Sequence, residues 1–263
     1  MPVSCKWKQT AFTAALGVLA LASVAGTTGC QRLINGPASA HEVDERPDKV
    51  MDFNTLYSQN CVACHGVDGK NGPSLAFNNP LYFGIASDTV IRHWTTDGGP
   101  GGMNPAFGTS AGGLLTDDQI NAIVVGMRQR WAKPAMLRGM TLPPYAASHP
   151  GDTSHGAQVY GQACASCHGA AGANGLVLHP GKAGSITDPI YLSLISDQGL
   201  RTITIVGRPD LGHPDYRNDI PGHPLNDTEI TDVVAWLGSH RQPDPGNPHP
   251  APSGTELQRR TNP

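Results

Sequence analysis

Two pentapeptides, Cys61-Val62-Ala63-Cys64-His65 and Cys164-Ala165-Ser166-Cys167-His168, each place two thiols and an imidazole within about one helical turn. Thiols at this spacing add across the two vinyl groups of one haem, and the adjoining histidine then falls under the iron as its proximal ligand. Two copies imply two covalently held haem c groups, attached through Cys61, Cys64, Cys164 and Cys167, with His65 and His168 on the irons. The competing chemistry is a single zinc gripped by both Cys-X-X-Cys pairs, which gives the repeated histidine no task.

The 263 residues are 38% hydrophobic, with 32 glycines and 23 prolines. A length of this order predicts two small domains. Side chains alone would make thin cores at that composition, and buried porphyrins supply the missing apolar bulk. The formal charge is −3. A nucleic-acid-binding chain is expected to be basic, so that class is excluded.

The N-terminus reads as an export signal. Lys6 and Lys8 precede an apolar run from Ala11 to Ala25, followed by small residues. Ser23-Val24-Ala25 suits ordinary cleavage and a soluble product, whereas Thr27-Thr28-Gly29-Cys30 resembles a bacterial lipobox, with threonine where leucine is usual. Of the six cysteines, four hold haem and Cys5 leaves with the leader, so Cys30 is the odd thiol. A free thiol is a liability in an oxidising compartment, and acylation removes it. The expectation is an exported lipoprotein on Cys30, facing the periplasm or cell exterior. The apolar run is short for an uncleaved membrane span.

The chain repeats itself. Met51 to Asn60 and Gly156 to Ala163 read as helices, and Tyr57 and Tyr160 each precede the first cysteine of a motif by the same spacing. Downstream, Leu115-Thr116-Asp117-Asp118-Gln119-Ile120 matches Leu225-Asn226-Asp227-Thr228-Glu229-Ile230. Thr116 with Gln119, and Asn226 with Glu229, have capping-box spacing. The helices that follow are amphipathic, with Ile120, Ile123, Val124 and Met127 on one face and Ile230, Val233, Val234 and Leu237 on the other copy's. The resulting map is a signal peptide at 1–29, a lipid-anchored tether at 30–50, a first haem domain at 51–133 and a linker at 134–152. A second haem domain follows at 153–241, then a proline-rich disordered tail at 242–263.

Over Met51 to Arg241 the chain resembles class I c-type cytochromes, in particular bacterial dihaem electron-transfer cytochromes. The likeness rests on the helix before each motif, on Met103-Asn104-Pro105-Ala106-Phe107 and on the final amphipathic helix. It implies an all-α fold of two tandem class I cytochrome c domains, each a few helices around a covalent haem, with Gly/Pro-rich loops. It also implies a proline carbonyl accepting from the proximal histidine. Gly72-Pro73-Ser74-Leu75 is that segment in the first copy, and Leu176 supplies a carbonyl without proline in the second.

A six-coordinate iron needs a second axial ligand. In the first domain Met103 is the candidate, after the run Gly98-Gly99-Pro100-Gly101-Gly102, with His93 as the lesser rival. No methionine follows Met140. His213 stands twelve residues before Leu225, as Met103 stands twelve before Leu115, so His213 is the expected substitute. His223, His179 and an open five-coordinate iron are its rivals. Arg92 and Arg201 align approximately and are either propionate partners or solvated arginines.

These assignments predict a first haem with His/Met ligation and a second, bis-histidine haem of lower potential, in a protein that moves single electrons. Its partners would be a redox donor and acceptor, drawn from respiratory or photosynthetic membrane complexes, terminal oxidases or periplasmic reductases. The alternative class is a dihaem peroxidase-like enzyme, although no acid–base constellation stands out near either motif. A haem-based sensor is the third class, and it lacks an output domain.

Overall fold

The computed structural model describes residues 46–99, 104–171 and 183–242. Residues 46–49, with a 3-10 turn at Pro47–Lys49, belong to a separate unit from the one that begins at Val50. Within the latter, helices α1 (Phe53–Asn60), α2 (Val62–His65), α3 (Pro80–Ile85), α4 (Asp88–Asp97) and α5 (Asp117–Trp131) make the first repeat. Helices α6 (Thr153–Ala163), α7 (Ala165–His168), α8 (Pro189–Leu194), α9 (Asp197–Val206) and α10 (Asp227–Ser239) make the second. Among the described residues there is no β-strand, only isolated bridges. The all-α expectation is met.

Helix starts follow from side-chain capping. Asp52 accepts from Thr55 N, Ser87 from Val90 N and Ser196 from Gly199 N. Both capping boxes form as the spacing predicts, at Thr116 with Gln119 and Asn226 with Glu229. The apolar faces named from periodicity are the core: Ile120, Ile123, Val124 and Met127 in α5, and Ile230, Val233, Val234 and Leu237 in α10, are all buried.

In each repeat the first helix crosses the last, and the crossing needs a glycine. In the first repeat Gly126 of α5 faces Phe53 of α1, and a Cβ on Gly126 would lie 2.2 Å from the phenyl ring. In the second the small residue is on the other helix. A Cβ on Gly156 of α6 would lie 2.0 Å from the Asp232 carbonyl oxygen and 2.8 Å from Trp236 Cβ. Both solutions let two backbones approach, with the bulky partner moved from the first helix to the last.

An arginine from the C-terminal end of each repeat closes the opposite side. Arg128 donates to Phe83 O at 2.6 Å and also to Ala86 O, and pairs with Asp88. Arg241 donates to Leu192 O at 2.8 Å and Ile195 O at 3.0 Å, and pairs with Asp197 at 2.9 Å. Both satisfy carbonyls left over where a short helix ends.

The segment between repeats is a strap against both. Trp94 Nε1 of α4 donates to Tyr145 Oη at 2.7 Å, while Tyr145 O accepts from Gln198 at 2.8 Å and from Arg201 at 3.1 Å. Arg201 is a correction to the sequence reading. It is 2% exposed, and its guanidinium is committed to Pro144 O, Tyr145 O, Thr231 Oγ1 and Asp227. It is neither solvated nor free for a propionate. Arg92 is half-buried beside Thr96, Asp117, Ile120 and Asn121 at the rim of a shallow cleft.

Candidate haem sites

Each Cys-X-X-Cys-His motif bends off its leading helix into a single turn, and the two copies are held alike. Tyr57 Oη donates to Gly66 O at 2.9 Å and Tyr160 Oη to Gly169 O at 2.7 Å, pinning the residue after each histidine. Cys61 and Cys164 are half-buried, and Cys64 and Cys167 are exposed. Burial pushes the thiols of Cys61 and Cys164 up to about 12. Among the described residues no three His, Cys, Asp or Glu side chains group to hold a metal ion, so the two Cys-X-X-Cys pairs do not converge on a single zinc.

The histidines of the two motifs are aimed by backbone carbonyls. His65 Nδ1 donates to Leu75 O at 2.7 Å and His168 Nδ1 to Gly184 O at 2.8 Å. A carbonyl only accepts, so the proton lies on Nδ1 and Nε2 keeps the lone pair a metal requires. Burial, reinforced by the nearby Arg208 charge, holds His65 down to about 4, hence neutral. Its ring stacks on Phe77 with centroids 3.8 Å apart at 16°.

The acceptors differ from the expected ones. Ser74 N donates to Cys64 O at 2.9 Å, which turns the chain so that Leu75 O, rather than Pro73 O, faces the imidazole. In the second copy Ala183 N donates to Cys167 O at 3.0 Å, and Gly184 takes the place that Leu75 holds in the first. The acceptor is therefore Gly184 and not Leu176; Leu176 lies outside the described residues. The second loop is longer, sixteen residues from histidine to acceptor against ten, and this displaced the alignment.

Opposite His168 stands His213. The two ring centroids are 5.9 Å apart, with the planes at 51°. His213 Nδ1 donates to Pro214 O at 2.7 Å, leaving Nε2 open on this ring too. Burial first, with the neighbouring His168 and Arg208, holds its pKa below the ordinary value. Two imidazoles bonded at about 2 Å to one ion between them have centroids roughly 6 Å apart. The donor set of the second site thus fits a haem iron.

His213 does not, however, occupy the position of Met103 in the repeat. Gly99 N→Asn104 O in the first repeat corresponds to Arg208 N→His213 O in the second, and Leu115 N→Phe107 O to Leu225 N→Tyr216 O. In that register His213 matches Asn104, the residue after Met103. The second repeat carries one extra residue between Tyr216 and Leu225, so equal counts from the leucines are off by one. Met103, Cys30 and the rival His179 lie outside the described residues.

The other rivals are engaged elsewhere. His223 Nε2 bonds Glu229 at 2.7 Å beside the α10 capping box, and His93 Nδ1 bonds Asp97 at 2.7 Å on an exposed face.

Comparison with known proteins identifies the family of each repeat. The family described as cytochrome c oxidase, cbb3-type, subunit III matches residues 48–125, and the family described as cytochrome c matches residues 153–241. The chain carries two cytochrome c domains in tandem. Each cytochrome domain binds a covalent haem c, at Cys61/Cys64 in the first and Cys164/Cys167 in the second, and electron transfer is the activity the domains imply. Among solved structures, a chain of the Kuenenia stuttgartiensis reducing HAO-like protein complex is similar at 17% identity, over 75% of this chain and 100% of that one, with a TM-score of 0.42.

Residues beyond the motifs also face the cytochrome sites. Arg208 and Asp210 lie between them with no local pattern to announce them. Asp219 is a carboxyl whose charge acts on Cys164, and burial with neighbouring Asp215 pushes its pKa up to about 7.

Proposed function

We propose that this protein is an exported dihaem carrier of single electrons, with His65 and Met103 on the first iron and His168 and His213 on the second. The observation that carries the reading is the His168–His213 pair, two rings 5.9 Å apart, each with Nδ1 committed to a backbone carbonyl and Nε2 unclaimed. Bound haem iron supplies a one-electron ferric/ferrous couple whose potential follows its axial ligands. The protein's share is to hold ligands. Leu75 and Gly184 fix the proximal rings, Pro214 orients the distal one, and Phe77 covers one face of His65.

Methionine sulfur favours ferrous iron and a second imidazole favours ferric. The second haem is therefore the lower in potential, so electrons enter there and leave from the first. Low-temperature EPR with near-infrared MCD tests the ligands, and a redox titration tests the order. One His/Met and one bis-histidine signature are expected, with the bis-histidine haem reduced last. Equal potentials, or a higher second haem, would remove the direction. A high-spin haem that binds cyanide rapidly, with peroxide turnover, would favour the peroxidase class instead.

Acylation of Cys30 would tie the carrier to a membrane face by a tether of about twenty residues, with the domains on the periplasmic or outer side. Among the described residues no helix is long and apolar enough to cross a membrane. The family matching residues 48–125 is named for a subunit of a terminal oxidase, which supports an oxidase or another membrane redox complex, respiratory or photosynthetic, as donor or acceptor.

Asp219 makes this reading pH-dependent. With its pKa raised to about 7, the carboxyl is neutral below that pH and anionic above it. An added negative charge near Cys164 favours ferric iron. The second haem's potential is thus expected to fall as pH rises through about 7, and Asp219→Asn to flatten that slope while leaving the first haem unchanged. Potentiometric titration across pH 5.5–8.5, a window set roughly 1.5 units either side of that value, measures both.

A further inference from the structure

A buried ion pair joins the two domains. Arg208, just beyond α9, donates from Nε and Nη2 to the two Asp210 carboxylate oxygens at 3.0 and 2.8 Å, and from Nη2 to Gly72 O at 2.7 Å. Asp210 also accepts from Asn71 N at 2.8 Å, so the pair grips two consecutive residues of the loop after the first haem motif. The two side chains are 10% and 5% exposed. Alongside, Asn79 Nδ2 donates to Val206 O at 2.8 Å in a buried bond. A buried pair gains little stability over an apolar replacement, because two charges must be desolvated. Its use lies in geometry.

The contacts define that geometry. Arg208 and His213 are bonded backbone to backbone in both directions, at 3.1 and 3.0 Å. Gly72, whose carbonyl Arg208 holds, packs so tightly on the first motif that a Cβ there would lie 2.3 Å from Cys64 O. A continuous chain of bonds and contacts therefore runs from His213 through Arg208 and Gly72 to Cys64. The Arg208 charge also acts on His65 and His213 alike.

We propose that Arg208, clamped by Asp210, is the positioning residue that joins the two haem sites. It locks the His213 loop of the second domain onto the loop after Cys64 in the first, and so sets the rate of electron exchange between them. The inference rests on the reading of His213 as an iron ligand. One electron leaves the second site as one arrives at the first; no bond forms or breaks and no proton moves.

The test uses the purified dihaem protein and its Arg208→Met, Arg208→Lys and Asp210→Asn variants. Intramolecular electron exchange is followed after flash photoreduction, together with both potentials, near-infrared MCD and amide hydrogen exchange at Asn71. Arg208→Met and Arg208→Lys are expected to slow exchange roughly tenfold or more, since small displacements of reacting groups have large kinetic effects. Arg208→Met should also lower both potentials, because a positive charge that disfavours ferric iron is lost, whereas Arg208→Lys should keep them. Asp210→Asn removes the carboxylate charge and leaves one amide oxygen for Arg208 and Asn71 N to share, so it should lower protection of the Asn71 amide and slow exchange by a smaller factor, and it decides the matter should the Arg208 variants not fold. Wild-type exchange rates and potentials in the folded variants, or in Asp210→Asn with Asn71 deprotected, would overturn the proposal. Absence of a bis-histidine signal in the wild type would overturn the ligand reading instead, and the rate and potential comparisons would still judge Arg208.

Discussion

His213→Met is expected to raise the potential of the second haem by on the order of 100 mV, since axial ligands tune haem iron over nearly a volt. Thioether sulfur stabilises ferrous iron where imidazole stabilises ferric, and the substitution exchanges one for the other across from His168. The bis-histidine near-infrared band should disappear and a second sulfur-to-iron charge-transfer band appear. His213 is held by backbone bonds to Arg208 that do not depend on its side chain, so the loop should survive the change. The Pro214 O contact is lost, since methionine has no donor to offer it. The electron flow proposed from second to first haem should weaken or reverse as the two potentials converge. An unchanged potential with an unchanged spectrum would mean that His213 never binds the iron.

Gly156→Ala should cost about 3 kcal/mol or more, and no companion substitution should restore it. The added methyl would meet the Asp232 carbonyl oxygen at 2.0 Å, and a backbone atom in the middle of α10 has no rotamer into which to retreat. Gly126→Ala in the first domain offers the contrast. There the nearest atoms all belong to the Phe53 side chain, its ring at 2.2 Å and its Cβ at 2.8 Å, so the cost should be about 1–3 kcal/mol and should fall when Phe53→Leu is added. Denaturant unfolding followed separately at each haem's absorption would resolve the domains. Loss confined to the second haem is expected for Gly156→Ala, and Trp236→Ala should not rescue it. A Gly156→Ala protein as stable as the wild type would show that α6 and α10 do not cross at this glycine.

His213 and Gly156 lie on either side of the boundary between what could be read along the chain and what could not. Thiol and imidazole spacing, capping boxes and the apolar faces of α5 and α10 are all relations among residues within a few positions of one another. Local geometry ties them to one outcome, so the haem-bearing pairs Cys61/Cys64 and Cys164/Cys167, the all-α character and the tandem repeat were legible in the sequence alone. The repeat also points to His213, which the fold brings to 5.9 Å from His168, ring to ring, although by a count that the backbone register shows to be off by one.

Only the tertiary structure decided which carbonyl aims each histidine, because a longer loop brings Gly184 to His168 sixteen residues on, and no periodicity constrains a loop's path. It also turned Arg201 from a candidate propionate partner into the buried centre of the strap, where Pro144 and Tyr145 carbonyls from the linker meet it. Gly126 and Gly156 carry the same helix crossing from opposite helices, which a sequence alignment reads as two unrelated glycines. Arg208 reaches Gly72 across 136 positions of chain. Partners that distant are selected by packing, where close approach and the need to satisfy buried polar groups choose among many sequence-compatible contacts.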